Sequence, residues 1–181
     1  MFLYNEVQKR EANQERVRVG LIGAGKFGSM FLSQAPFTIG LEVISIVDIN
    51  VENAKKNCRD LGWTKEQIES VLFFDNLKKM ISQTKIDVLV EATGDPVEGT
   101  KHALIAIEEG LDIVMVNVEA DVLSGPYLAK EADKAGVVYS MAYGDQPALT
   151  TELVEWARAS GFKVVAAGKG TKYLPEYHYS T

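Results

Sequence analysis

The stretch Val17-Arg18-Val19-Gly20-Leu21-Ile22-Gly23-Ala24-Gly25-Lys26-Phe27-Gly28 runs from a short apolar segment through a glycine-rich turn into an amphipathic one. A GxGxxG string carries little weight by itself. It becomes informative when it follows a strand and opens a helix, and the flanking pattern predicts both. Each glycine then has a separate task. Gly23 permits the tight turn, Gly25 removes a Cβ where a diphosphate would approach the backbone, and Gly28 lets helix and strand pack closely. The start of the helix adds free N–H groups and a positive dipole end, as an anion requires. Gly23, Ala24, Gly25, Lys26, Phe27 and Gly28 are therefore the candidate phosphate-binding turn of a dinucleotide site.

Working outward, apolar runs alternate with amphipathic ones. Strands are predicted at Val17–Ile22, Leu41–Val47, Val71–Phe74, Val88–Glu91, Ile113–Val116, Val137–Met141 and Lys163–Ala167. They are short and continuous in Val, Ile and Leu, as parallel strands buried on both faces should be. Helices are predicted near Gly25–Gln34, Val51–Leu61, Asn76–Gln83, Val97–Glu109, Gly125–Lys134 and Pro147–Ala159. Gly62, Gly110, Gly136 and Gly161 fall between a helix and the next strand. This βα rhythm predicts an α/β, Rossmann-type doubly wound parallel sheet with helices on both faces. Residues 1–16 read as a lead-in helix and residues 17–172 as the dinucleotide-binding domain. The aromatic tail 173–181 is expected to lead into a catalytic region beyond this chain.

Asp48 ends the second strand, 20 residues after Gly28. A carboxylate there accepts hydrogen bonds from the adenosine ribose hydroxyls and repels a 2′-phosphate, which favours NAD. Lys55, Lys56 and Arg59 follow closely. They are either a solvated helix face or a 2′-phosphate site, so the choice between NAD and NADP stays open. Methyltransferases also place an acid after strand two. They usually carry another before the first glycine region, where this chain has Leu21 and Ile22, and the full GxGxxG suits a pyrophosphate better.

Ligands in open α/β sheets sit beyond the carboxyl ends of the strands. Thr93 and Gly94, then Asn117 and Glu119, occupy that rim and are candidate partners of the nicotinamide half; Glu119 and Asp121 are alternatively helix caps. Asp145 is either a cap or a substrate-facing acid. Lys169 and Lys172 lie in a Gly-Lys-Gly-Thr-Lys segment suited to an anionic substrate or to proton donation to a developing alkoxide. Lys169, Lys172 and Asp145 are thus the candidate catalytic residues. His102 sits mid-helix, and no Cys/His cluster points to a metal.

The segments Val17–Met30, Glu91-Ala92-Thr93-Gly94 and Val114-Met115-Val116-Asn117-Val118-Glu119 resemble the cofactor domain of the homoserine dehydrogenase family. More closely they resemble a homoserine-dehydrogenase-like group also described as 1-deoxy-D-xylulose-5-phosphate reductoisomerase-like. The resemblance extends over nearly the whole chain. It implies a Rossmann domain that precedes a separate catalytic and dimerisation region, and NADP use in the reductoisomerase-like group. Two departures stand out. Val118 occupies the position of the lysine in the family's Asn-Lys pair, and Gly144-Asp145-Gln146-Pro147 keeps at most one member of the reductoisomerase Asp-x-Glu metal pair.

Composition bounds the rest. A net charge of −6 argues against a broad nucleic-acid face. No run reaches the roughly 18 apolar residues of a membrane span, and the first residues lack the apolar core of a secretory signal. Cys58 is the only cysteine; the small buried helical reading outweighs a thiol activated by its basic neighbours. The expectation is a cytoplasmic oxidoreductase domain that moves hydride between a nicotinamide cofactor and a small carbonyl or alcohol substrate. No nucleic-acid or membrane partner is expected, and a homo-oligomer would form through the parent chain. The alternative is a dinucleotide-sensing module without turnover.

Overall fold

A computed structural model describes residues 3–144 and 146–168. By its internal contacts the chain divides into residues 1–141 and 142–181.

The first unit opens with α1 (Leu3–Ala12), β1 (Val17–Ile22), α2 (Lys26–Gln34) and β2 (Leu41–Val47). Next come α3 (Val51–Asp60), α4 (Lys65–Ser70), β3 (Leu72–Phe74) and α5 (Leu77–Gln83). It closes with β4 (Val88–Glu91), α6 (Pro96–Glu108), β5 (Asp112–Met115), α7 (Val118–Ala135) and β6 (Tyr139–Met141). All strand pairs are parallel, in the order β3-β2-β1-β4-β5-β6.

Successive residues of each central strand face opposite sides. Leu21, Ile46 and Val90 pack with Leu32 of α2 and with Ala54 and Cys58 of α3. Their neighbours Ile22, Val47 and Leu89 pack with Met80 of α5, Ala103 and Ile107 of α6, and Leu128 of α7. Both faces of the sheet are therefore covered, the reason its strands read as unbroken apolar runs. The chain leaves β1 towards β2 on one side and returns to β4 on the other. The crevice at this reversal opens at the carboxyl ends of β1 and β4.

Three elements differ from the sequence expectation. α7 starts at Val118 rather than Gly125, because the Asn117 side chain accepts from the Ala120 N–H and caps it there. Pro126 cannot donate a backbone hydrogen bond and disfavours a helix interior. It nevertheless lies inside a helix held by burial of Ala120, Gly125, Leu128 and Ala132. α4 is an additional helix, secured by a reciprocal capping box between Thr64 and Gln67. The strand expected at Lys163–Ala167 is absent: residues 162–168 have no regular structure, and Val165 is 87% exposed. The second unit contributes α8 (Gln146–Ala159), in which Glu152 accepts from the Tyr143 hydroxyl at 3.0 Å.

At the amino-terminal end of the sheet, Asp87 grips Arg18. It accepts from the guanidinium at 2.5 and 3.0 Å and from the Arg18 backbone N–H at 2.9 Å. The hydrogen-bonded guanidinium holds the Asp87 carboxyl below its usual range. A carboxyl depressed on folding stabilises above its unfolded pKa, and that contribution is lost as pH falls through the folded value. Asp87→Asn should therefore melt below the unsubstituted protein at neutral pH, and the two melting curves should converge in acid. Thermal scans followed by circular dichroism across that range check this.

Candidate functional site

The turn after β1 is held from three directions. The Gly23 N–H donates to the Val47 carbonyl at 2.8 Å, tying the turn to β2. The Ala24 N–H donates to Oδ2 of Asp48 at 2.9 Å, while Oδ1 of Asp48 accepts from the Asn50 N–H at 2.8 Å. The Ala24 carbonyl accepts from Asn57 Nδ2 of α3 at 2.9 Å and from Ser29 Oγ of α2 at 3.2 Å. Gly23 has φ +89°, and a Cβ there would lie 2.9 Å from the Ala92 carbonyl oxygen. At Gly28 a Cβ would collide with the Gly23 carbonyl oxygen. Gly25 is different: nothing lies within 4 Å of where its Cβ would be. The chain leaves space above Gly25 that folding does not require.

That space lies at a helix start without a side-chain cap. Helices α3, α5, α6 and α7, which follow β2, β3, β4 and β5, are each capped by a side chain: Asn50, Asn76, Asp95 and Asn117. α2 has no side-chain cap and no acidic residue in its first turn. Its leading N–H groups and positive dipole end remain available to an anion. The side chains of Lys26 and Phe27 are exposed at the same place.

Beyond β4 and β5 a second polar cluster forms. Asn117 is 2% exposed. Besides capping α7, its Nδ2 donates to the Asp95 carbonyl at 2.8 Å and to Thr93 Oγ1 at 3.3 Å. The Thr93 hydroxyl donates to Glu91 Oε1 at 2.6 Å, and His102 Nδ1 lies 3.2 Å from the same oxygen. Tyr139 donates to Asp121 at 2.9 Å; burial first, then this bond, pushes its phenol upward. Gly94 has φ +77° and open space around its missing Cβ.

A family model described as homoserine dehydrogenase, NAD binding domain, matches residues 19–142, more than half of the chain. The chain belongs to that family. A second model, described as oxidoreductase DRL, catalytic domain, matches residues 144–181. The two matches meet where the structure divides. No curated protein sequence matches the chain. Among solved structures, it is similar to the WlbA dehydrogenase from Bordetella pertussis in complex with NADH and UDP-GlcNAcA (24% identity, TM-score 0.59, 81% of this chain and 42% of that one). It is also similar to myo-inositol 2-dehydrogenase from Lactobacillus plantarum (16%, TM-score 0.55, 81% and 42%). A third is an oxidoreductase from Agrobacterium radiobacter in complex with NAD+, L-tartaric acid and magnesium (14%, TM-score 0.59, 81% and 41%). At these identities the likeness is one of fold, and the chain spans less than half the length of each.

Within this NAD binding domain the structure brings Gly23, Ala24, Gly25, Lys26, Phe27, Gly28 and Asp48 together at one turn. Thr93, Gly94 and Asn117 gather at the neighbouring loop. Glu119 stands exposed in the first turn of α7. The candidate catalytic residues Asp145, Lys169 and Lys172 lie outside the described residues. Lys55 pairs with Glu52 at 2.8 Å and lies 5.7 Å from the Phe73 ring centroid, whereas Lys56 and Arg59 are exposed. Cys58 is buried, and desolvation pushes its thiol up to about 11, the inert small-residue reading. No group of metal-ligating side chains occurs among the described residues. Nor is any of their helices long and apolar enough to cross a membrane.

Sequence reasoning assigned no role to Asn57 or Glu91. Asn57 gives no sequence signal, because its bond to Ala24 spans 33 residues. Glu91 did give one: a carboxylate that ends a strand buried on both faces must find a partner.

The two glycines predict opposite costs. Gly28→Ala forces backbone apart and should destabilise by about 1–3 kcal/mol. Gly25→Ala meets open space and should cost less than about 1 kcal/mol, its helix-cap preference alone. Urea unfolding of both variants checks the contrast.

Proposed function

We propose that this domain binds a nicotinamide dinucleotide across the crest of β1 and β4 and holds it for hydride exchange with a small carbonyl or alcohol. The observation that carries the reading is the open, uncapped turn at Gly25, beside a carboxylate drawn against the same turn. The pyrophosphate would lie against the N–H groups that begin α2. Asp48 retains acceptor capacity beyond its two backbone bonds and would take the adenosine ribose hydroxyls. When bound, the nicotinamide supplies or accepts the hydride.

The chain's own part is positional. The loops led by Thr93 and Asn117 border the nicotinamide side of the crevice, with Gly94 allowing close approach of backbone and Glu119 at its margin. Proton movement on the substrate is assigned to Lys169, Lys172 or Asp145. The solved structures of like fold that hold UDP-GlcNAcA or L-tartaric acid support a hydroxylated small molecule as the substrate class. The matched catalytic-domain segment favours turnover over sensing.

Asp48 supports NAD by charge, and the reductoisomerase-like resemblance supports NADP. Calorimetric titration with NAD, NADP and their reduced forms separates them. Gly25→Val should remove dinucleotide binding while the circular dichroism spectrum stays unchanged. Asp48→Ala should move the affinity ratio towards NADP. It should also destabilise by about 1–2 kcal/mol, since the Ala24 and Asn50 N–H groups lose their acceptor. Binding by Gly25→Val equal to that of the unsubstituted chain would overturn the reading.

A further inference from the structure

Glu91 closes β4 with its side chain fully buried, and its Oε2 has no hydrogen-bond partner among the described residues. A carboxylate in such a place is expensive unless its charge is used. Its other oxygen is engaged. Glu91 Oε1 receives the Thr93 hydroxyl at 2.6 Å, a length typical of a charge-assisted bond, and faces His102 Nδ1 of α6 at 3.2 Å.

The hydroxyl is in turn fully committed. It gives its single proton to Glu91 and accepts from Asn117 Nδ2 at 3.3 Å and from the Asp95 N–H at 3.4 Å. A threonine hydroxyl has one donor and two acceptor positions, so none remains for a ligand. What the loop can offer outward is backbone, at Gly94, where φ is +77° and the space is open. The packing below leaves Glu91 little alternative. A Cβ on Gly99 of α6 would lie 3.1 Å from Glu91 Oε2 and 2.5 Å from Asn117 Nδ2. Titratable groups near Glu91 among the described residues include Asp95, whose carboxylate caps α6, and Tyr139 of β6, bonded to Asp121 of α7.

We propose that Glu91 is a positioning residue for the nicotinamide half of the cofactor: acting through the Thr93 hydroxyl, it fixes the 93–95 turn so that bare Gly94 backbone faces the ring and its ribose. The proposal rests on the dinucleotide reading above. It differs from a general scaffolding role in one respect. The adenosine and pyrophosphate sites, built on Asp48 and residues 23–28, do not depend on the Thr93 hydroxyl.

The test is calorimetry on the full chain with NADH or NADPH, set against the matching fragment without nicotinamide riboside, ADP or its 2′-phosphorylated form. Glu91→Gln and Thr93→Val should each weaken the dinucleotide by about tenfold, or about 1.4 kcal/mol, and the fragment by less than about twofold. The two residues share the 2.6 Å bond, and Glu91 Oε1 also accepts from the Thr93 backbone N–H at 3.4 Å, so the double variant should lose less than the sum of the two single ones. Equal weakening of dinucleotide and fragment, or additive losses in the double variant, overturns the proposal. Should Glu91→Gln fail to fold, Thr93→Val decides alone, since its site is an exposed turn; unchanged dinucleotide affinity then overturns it. Failure of the unsubstituted chain to bind either dinucleotide would bring down the cofactor reading itself, and this inference with it.

Discussion

The closeness of α2 to β1 at Gly28 is the constraint on which the rest of the molecule depends. With no Cβ at Gly28, the Gly23 carbonyl settles against the helix, and the turn between them becomes tight enough to direct the leading N–H groups of α2 out of the sheet. Everything around the turn then locks it. β2 takes the Gly23 N–H, Asp48 takes the Ala24 N–H, and α3 reaches back through Asn57 to the Ala24 carbonyl. These groups spend none of the N–H donors that begin α2. The result is a rigid frame around a place left open, the arrangement that electrostatic binding of an anion favours.

The second half of the crevice follows a different logic. Around β4 and β5 the polar side chains bond to one another: Thr93 to Glu91, and Asn117 to Thr93, Asp95 and the start of α7. Such a network shapes backbone rather than reaching for a ligand. The match to a catalytic domain begins beyond the Rossmann unit, at residue 144.

Local signals in the sequence were sufficient for most of this. The bounds of β1, β2 and β4 are those of their apolar runs, and the spacing of Gly23, Gly25 and Gly28 placed the turn. Where local and tertiary signals conflict, tertiary packing prevails. Pro126 disfavours a helix interior, but burial of Ala120, Gly125, Leu128 and Ala132 carries α7 through it. The β-branched run near Val165 forms no strand and has no partner strand among the described residues. Contacts between distant residues, such as Asn57 with Ala24 or Asn117 with Asp95, leave no periodic trace, so the internal commitments of the rim were not readable in advance.

A cavity of about 420 Å³ lies at the opposite, amino-terminal end of the sheet, lined in part by Phe37, Ile39 and Trp63. It offers a direct physical contrast to the glycine turn after β1. Amide shifts of the 15N-labelled chain titrated with NADH or NADPH distinguish the two ends of the sheet in one measurement. The account predicts saturable shifts at the Gly25, Lys26 and Phe27 amides, with the Trp63 indole N–H unmoved. Shifts confined to the Trp63 cavity, with the turn silent, would contradict it.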